Sequence, residues 1–232
     1  MTEKSGAEGT LEIAVKNTER LLAVDPKLAV EQAREILNAV PNYPPAQLLL
    51  ITGERYCGNP AVALELIDKL LSVQSRWAAA HFEHALLLAV LGRGDDAISA
   101  LRATIALKPA HPEAWRLLAD HLMAVGDSSG ADEAYTRHIQ SSVSDPQLQQ
   151  AASAMIANDI PRAERLLKAQ LKKAPTDVPA IRMLAEVAVR CGNNDDAEKL
   201  LERCLDLAPS FTAARFNYAT LLHRLNKSSQ AL

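Results

Sequence analysis

Seven alanines recur along this chain at an almost constant interval. The gaps between them are 34, 34, 34, 32, 34 and 34 residues. The seven are Ala29, Ala63, Ala97, Ala131, Ala163, Ala197 and Ala231. An interval of this length is typical of one helix–turn–helix repeat. Because a side chain this small lets two helices cross closely, the column predicts a row of helix pairs, each packed on its neighbours.

A second column places glycine or asparagine between the two helices of each repeat. These residues tolerate the left-handed backbone conformation that ends a helix. The column therefore predicts the turn between a first helix, helix A, and a second helix, helix B. Its members are Gly58, Gly92, Gly126, Asn158, Gly192 and Asn226.

Further columns predict which side chains fill the core and where helix B ends. The core of helix A is expected at Ile51, Ala85, Ala119, Ala151, Ala185 and Ala219. The residues eight places beyond the column alanines are expected to face the core from helix B. They are Leu37, Leu71, Ile105, Ile139, Leu171 and Leu205. Proline cannot continue a helix, so helix B is expected to stop before Pro41, Pro109, Pro175 and Pro209.

These columns together resemble the tetratricopeptide repeat (TPR) family. One repeat matches the family pattern almost fully, through Trp115, Leu118, Ala119, Leu122, Gly126, Ala131, Tyr135 and Ile139. The resemblance covers residues 10–232. It implies an all-α fold, a right-handed TPR superhelix (α-solenoid) of antiparallel helix pairs. It also implies a non-catalytic protein-interaction scaffold.

The sequence predicts one solenoid after a short polar tail. Residues 1–9 are expected to form a flexible tail and residues 10–232 a single TPR solenoid. The predicted repeats are 10–43, 44–77, 78–111, 112–143, 144–177, 178–211 and a partial 212–232. The short interval precedes the fifth repeat, where Asp145 and Pro146 suit the cap and first residue of a helix. A local irregularity is therefore expected near 140–147.

The charge and the composition limit the kinds of partner and the cellular compartment that we expect for this chain. The formal net charge of −3 argues against nucleic acid as the main partner, since a phosphate-binding protein presents a basic surface. No apolar run approaches the roughly 18 residues of a membrane span, and the first residues do not resemble a signal peptide. Cys57, Cys191 and Cys204 lack paired spacing and predict free thiols in a reducing cytosol. We therefore expect a cytoplasmic protein.

Several stretches are similar to the N-terminal repeat region of bacterial TPR-containing sulfotransferase-family proteins. They are residues 31–37, 114–122, 175–188 and 202–209. In that family the repeats precede a domain that transfers a sulfuryl group from phosphoadenosine-phosphosulfate, which a glycine-rich loop binds. The nearest feature here, Gly92-Arg93-Gly94, lacks a third glycine and a preceding strand, and it is predicted to be an inter-helix turn.

The resemblance therefore implies a longer sulfotransferase-like parent, whereas this chain is predicted to have no catalytic residue and no cofactor. Because the repeat register runs to the last residue, we expect the chain to be a fragment. Its last helix A, at 212–225, then lacks a complete helix B to cover it, so we expect fraying or a two-fold dimer through that end. The alternative to the sulfotransferase-like parent is a free-standing TPR adaptor in a bacterial envelope or polysaccharide pathway.

One face of helix A lines the concave groove in the family pattern. In this sequence the groove residues are Leu48, Thr52, Arg55, Tyr56, Phe82, Leu86, Ala89, Val90, Arg116, Asp120, Met123, Arg182, Glu186, Arg190, Phe216, Thr220, His223 and Arg224. The groove residues of the second and third repeats, from Leu48 to Val90, are mostly apolar, whereas those of the later repeats include several arginines. The expected occupant is a protein or peptide with apolar anchors at one end and carboxylates at the other. Two alternatives stay open, namely docking of the chain's own missing C-terminal domain and a solvated charge ladder without a binding role.

Other kinds of site have little support in the sequence. The carboxylate clamp of TPR co-chaperones is absent, since different residue types occupy its places. Those places hold Leu48, Thr52, Glu83, Glu113 and Leu117. His81 and His84 share one helix and His121 lies in the next repeat, so three or four converging metal ligands are not expected.

Overall fold

The computed structural model describes the backbone of residues 2–227 and the side chains of residues 10–227. Within these residues it contains thirteen α-helices, one short 3₁₀ helix and no strand, which confirms the all-α helical repeat. Ala231, the last alanine of the column, lies outside the described residues. The chain divides into two compact halves between Pro109 and Ala110.

The N-terminal half contains three helix pairs. They are α1 (Thr2–Val24) and α2 (Pro26–Ala39), α3 (Pro44–Tyr56) and α4 (Pro60–Val73), and α5 (Ala78–Val90) and α6 (Gly94–Leu107). Helix α2 packs on α1 and α3, and α4 packs on α3 and α5, as expected of successive repeats. Helix α1 begins at Thr2, so residues 2–9, which the sequence predicts to be a tail, are helical.

The C-terminal half contains seven α-helices within the described residues. They are α7 (Pro112–Ala124), α8 (Ser128–Ser141), α9 (Pro146–Ile156), α10 (Ile160–Lys173), α11 (Val178–Arg190), α12 (Asn194–Leu207) and α13 (Thr212–Arg224). Helix α8 packs on its partner α7 and also contacts α11 and α12, which belong to a repeat further along the chain. A regular solenoid would place α8 only against its immediate neighbours.

The contacts of α8 with α11 and α12 occur next to the shortened repeat interval. A 3₁₀ helix, Ser142–Ser144, connects α8 to α9. Asp145 then caps α9, because its Oδ1 accepts hydrogen bonds from the backbone N–H groups of Gln147 at 2.8 Å and Leu148 at 3.2 Å. Both the irregularity near 140–147 and the role of Asp145 and Pro146 are thus confirmed.

Proline and the turn column set the helix boundaries as the sequence predicts. Each proline expected to stop helix B stands two residues after the last helical residue: Pro41, Pro109, Pro175 and Pro209. All six turn-column residues adopt a positive φ between 57° and 85°. Glycine adopts this conformation without a steric penalty, and asparagine tolerates it better than most residues.

The alanine column lies at the centre of each helix pair. All six described members are fully buried, with 0% exposure. In three pairs the column alanine shares an apolar cluster with the predicted core residue of helix A. These are Ile51 with Ala63, Ala151 with Ala163, and Ala185 with Ala197. The interpretation of the column as a close helix crossing agrees with this burial.

The other core positions of helix B lie elsewhere than predicted. The residues eight places beyond the column alanines are only partly buried: Leu37, Leu71, Ile105, Ile139, Leu171 and Leu205. The deeper positions are four and seven places beyond, because about 3.6 residues per turn return a helix to the same face at those steps. Seven places beyond stand Ile36, Leu70, Thr104, His138 and Cys204, all buried, and Gln170, which is partly buried. This column thus brings polar side chains into the core.

Replacing a column alanine by leucine should force the two helices apart. We expect Ala97→Leu to lower the free energy of unfolding by about 1–3 kcal/mol through overpacking. The matched control is Ala106→Leu on the exposed side of the same helix α6, which should leave stability unchanged. Urea unfolding followed by circular dichroism measures both, and equal stability of the two variants would refute the close crossing.

Candidate protein-interaction surface

We use the term A face for the side of the A helices that carries the predicted groove residues. In the N-terminal half these residues lie on α3 and α5. Two large apolar side chains stand in solvent in the last turn of these helices, Tyr56 with 54% exposure and Val90 with 62%. The other predicted groove residues here are partly buried: Leu48, Thr52, Phe82, Leu86 and Ala89. This face therefore presents two apolar side chains above a partly covered floor.

Arg55 connects the two helices of this face. Its Nε donates to Glu83 Oε1 at 2.6 Å, and its Nη2 donates to Glu83 Oε2 at 3.2 Å. Burial lowers the pKa of Arg55, but the Glu83 carboxylate outweighs burial and the net pKa is raised. The guanidinium carbon also lies 4.5 Å from the centroid of the Tyr56 ring, in a cation–π contact. Arg55, predicted to line the groove, therefore fixes α5 against α3 and supports Tyr56.

The A helices of the C-terminal half are α7, α9, α11 and α13. Ile156 at the end of α9 is 87% exposed, and Phe216 on α13 is 72% exposed. A cavity of about 280 Å³ lies between α11 and α13. Its apolar lining is Ala185, Val189, Leu201, Phe216 and Leu221, and its polar lining is Glu186, Asn217, Thr220 and Arg224.

Two charged side chains, Glu186 and Arg224, line this cavity. Glu186 lies between Arg182, whose Nη1 is 3.6 Å away, and Arg190, whose Nη2 donates to it at 2.6 Å. Arg190 Nη1 also donates to the backbone carbonyl of Met155 at 2.8 Å, which connects α11 to the end of α9. Arg224 Nη2 donates to Asn194 Oδ1 at 2.6 Å. The predicted charge ladder is present, and it borders an apolar cleft.

Arg116 and Asp120, also predicted to line the groove, belong to a polar network. Arg116 is only 7% exposed, and its Nη1 donates to Asp120 Oδ2 at 2.9 Å and to Thr176 Oγ1 at 3.0 Å. The Tyr135 hydroxyl donates to Asp120 Oδ1 at 2.6 Å, and burial together with this carboxylate raises the pKa of Tyr135. Arg116 is thus buried within this network, whereas Asp120 is partly buried. Met123 nearby is partly buried, whereas His223 on α13 is exposed.

A second polar cluster connects α8 to the start of α11, and we call it the α8–α11 seam. His138 Nδ1 lies 3.0 Å from the Pro112 carbonyl oxygen, and its Nε2 lies 3.6 Å from Asp177 Oδ1. The Ser142 hydroxyl also lies 3.2 Å from His138 Nδ1. Asp177 also accepts from Gln170 Nε2 at 2.7 Å and caps α11 through the Ala180 N–H at 3.1 Å.

The surroundings of Asp177 favour its carboxylate form. Burial alone raises the pKa of this acid, since Asp177 is 3% exposed. The facing His138 ring, the Gln170 amide and the Ala180 N–H outweigh burial and bring the pKa below its ordinary value. The seam is therefore a charge-assisted contact that holds together repeats that are not adjacent in sequence.

Three other cavities have none of the exposed side chains Tyr56, Val90, Ile156 and Phe216 in their lining, and one of them, of about 380 Å³, is lined in part by Arg116, His138 and Asp177. A larger cavity of about 570 Å³ in the N-terminal half contains none of the predicted groove residues in its lining. His81 Nε2 lies 2.9 Å from the Ser75 carbonyl oxygen and His84 Nε2 lies 3.4 Å from Asp68. Across the part of the chain that the structure describes, no cluster of three His, Cys, Asp or Glu is placed to hold a metal ion.

The three cysteines are free thiols, as the sequence predicts. Burial raises the pKa of Cys204 to about 12, and its thiol points at the Val178 carbonyl oxygen at 3.8 Å. Cys204 is thus a core side chain. None of the described helices is both long and apolar enough to cross a membrane.

Removing the charge of Asp177 should weaken the seam in a pH-dependent way. A carboxyl whose pKa is lower in the folded chain stabilises the fold above its unfolded pKa, near 4, and loses that contribution as the pH falls through the folded pKa. We expect Asp177→Asn to cost about 2 kcal/mol at neutral pH and progressively less below about pH 4. Urea unfolding across this range is the measurement, with exposed Asp206→Asn as the control for the substitution itself. A constant difference at every pH would contradict the assignment.

Two protein-family models, both described as tetratricopeptide repeat, match this chain. One matches residues 48–103 and 82–146, and the other matches residues 154–209. Together they cover about two thirds of the chain. No match was found among curated protein sequences.

Several solved structures share the fold. A thermophilic TPR protein of Thermus thermophilus is 16% identical with a TM-score of 0.55, over 92% of this chain and 99% of that one. The MamA fragment from Desulfovibrio magneticus RS-1 is 16% identical with a TM-score of 0.53, over 87% of this chain and 97% of that one. A tetratricopeptide repeat protein from Parabacteroides merdae is 15% identical with a TM-score of 0.50, over 96% and 90%.

At these identities the structural likeness shows the fold alone. The family models, the repeat columns and the helix pairs agree with one another at the level of sequence and structure. The chain therefore belongs to the tetratricopeptide-repeat family.

Proposed function

We propose that this chain is a non-catalytic scaffold that binds a protein or peptide on the A faces of its helix pairs. Tetratricopeptide repeats generally mediate protein–protein interaction, and their solenoids use extended surfaces for it. Exposed large apolar side chains occur on helices of both kinds, but the two exposed aromatic side chains among the described residues, Tyr56 and Phe216, are both on A helices, and this observation carries the proposal. Large apolar side chains grouped on one kind of surface are typical of interaction sites.

The support beneath these side chains also favours binding. Arg55 and Glu83 hold α3 and α5 at a fixed spacing, and Arg190 holds α11 against the end of α9. A surface that is already rigid loses little conformational entropy when a partner docks. Tyr56 and Phe216 are the proposed anchors, since aromatic side chains contribute large contact areas at interfaces.

The resemblance to sulfotransferase-family proteins supports a narrower proposal. We infer that the chain is the repeat region of a longer sulfotransferase-like protein, whose own C-terminal domain is then a candidate occupant of the A faces. Peptide mapping of the native protein by mass spectrometry should detect a segment with a glycine-rich phosphate-binding loop. A native protein made of repeats alone would favour the free-standing adaptor.

The binding proposal is testable without knowing the partner. Random peptides displayed on phage are selected on the chain, and the affinities of the enriched peptides are measured by fluorescence anisotropy. We expect Tyr56→Ala or Phe216→Ala to weaken binding at least about tenfold, the effect of removing an interface anchor.

Val73→Ala is the matched control, because Val73 is 78% exposed but lies on helix B of its pair. It should leave the affinity unchanged. The proposal fails if no peptide is enriched, or if the control variant weakens binding as much as the A-face variants do.

A further inference from the structure

Charge is segregated between neighbouring helices at the end of the C-terminal half. The A helices α11 and α13 carry four arginines, Arg182, Arg190, Arg215 and Arg224, against the one carboxylate of Glu186. Helix α12 has the opposite balance, with five acidic residues against Lys199 and Arg203. The five are Asp195, Asp196, Glu198, Glu202 and Asp206. The positive side is thus the side that carries the cleft.

Part of this positive charge exceeds the carboxylates that face it within the described residues. Glu186 is the carboxylate partner of both Arg182 and Arg190. Arg224 donates to a neutral amide, that of Asn194, and Arg215 is exposed. A local excess of positive charge attracts carboxylates and raises the rate of association with an acidic partner.

The cleft itself suits an apolar side chain. Ala185, Val189, Leu201 and Leu221 line it, and the exposed Phe216 ring stands at its side. The cavity of about 280 Å³ opens between two helices that are fixed against α12. Tyr218 donates to Glu202 at 2.9 Å and Lys227 donates to Glu198 at 2.7 Å, so α13 is held by polar contacts on its other side.

We propose that the cleft between α11 and α13 binds an acidic protein segment, which inserts one aliphatic or aromatic side chain beside Phe216. Carboxylates of the segment on either side of this anchor contact Arg190 and Arg224. The inference rests on the proposed protein-binding function and adds the location and the chemistry of the partner. An acidic segment fits better than a nucleic acid, because the centre of the site is apolar and the whole chain carries a net charge of −3.

The arrangement differs from a carboxylate clamp built on the earlier repeats. The clamp places in those repeats include Leu48, Thr52 and Glu83, which offer no cation. Glu83 is moreover occupied by Arg55. The last two A helices instead place an excess of arginine beside an apolar cleft.

The test uses the peptides enriched from the random library, synthesised with a fluorescent label. We expect them to combine acidic residues with a large apolar residue, and to lose affinity as salt rises. Arg224→Gln should weaken binding about threefold to tenfold, and Phe216→Ala at least about tenfold. Two controls in the same half, exposed Arg137→Gln and Val143→Ala, should have no effect. Circular dichroism verifies that every variant is folded.

The possible failures can be told apart. If no peptide is enriched, the proposed function itself fails. If peptides bind but carry no acidic excess, or depend on Tyr56 and not on Phe216, the function stands and this inference is wrong. A short single-stranded oligonucleotide is the competing probe, and its binding with the same dependence on Arg224 and Phe216 would overturn the choice of an acidic protein segment.

Discussion

The whole structure depends on how closely helix A and helix B approach each other within each pair. A column of fully buried alanines provides that approach in six consecutive repeats. This crossing directs the residues four and seven places beyond each column alanine of helix B into the core. The partly buried residues of helix A lie beneath the exposed residues of the A face. What remains in solvent on helix A is then a small set of residues, which includes Tyr56, Val90, Ile156 and Phe216. The candidate surface is thus a consequence of the packing pattern.

The shortened repeat changes this pattern in the C-terminal half. The 3₁₀ helix after α8 is followed by contacts between α8 and helices α11 and α12, beyond its immediate neighbours. The α8–α11 seam and the network around Asp120 bury Asp177 and Arg116 among polar partners. Buried charges are stable only with partners, and here His138 faces Asp177 and Arg116 faces Asp120. These contacts pair the charged groups of Arg116 and Asp120 with each other.

Local features of the fold could be predicted from the sequence because each depends on one residue and its own backbone. Proline ends helix B at four places, and the turn column adopts a positive φ at six. The alanine column is equally local, since a single small side chain determines the crossing. The prediction for the core of helix B was wrong by one position. The residues eight places beyond the column alanines are all apolar, whereas the buried positions seven places beyond them include polar residues such as Thr104 and His138.

The polar contacts could not be predicted, because they join residues that are distant in sequence. Thr176 contacts Arg116 across 60 positions, and no interval in the sequence connects them. A signal did exist for Glu54, which is buried with Arg34 and Asn59 as partners, since an acid there interrupts a column of apolar residues such as Leu88 and Leu122. The groove residues followed from the family pattern. Their division into supports such as Arg55 and exposed anchors such as Phe216 required the structure.

We propose that the alanine-packed helix pairs form a framework whose A faces bind a protein or peptide. Amide NMR spectra of the isotope-labelled chain, titrated with an enriched peptide, test this most directly. We predict that the largest shift changes fall on α11 and α13 around Val189 and Phe216, with little change on α12 apart from Leu201, which lines the cleft. Changes centred on α12, or on the B helices of the N-terminal half, would contradict it.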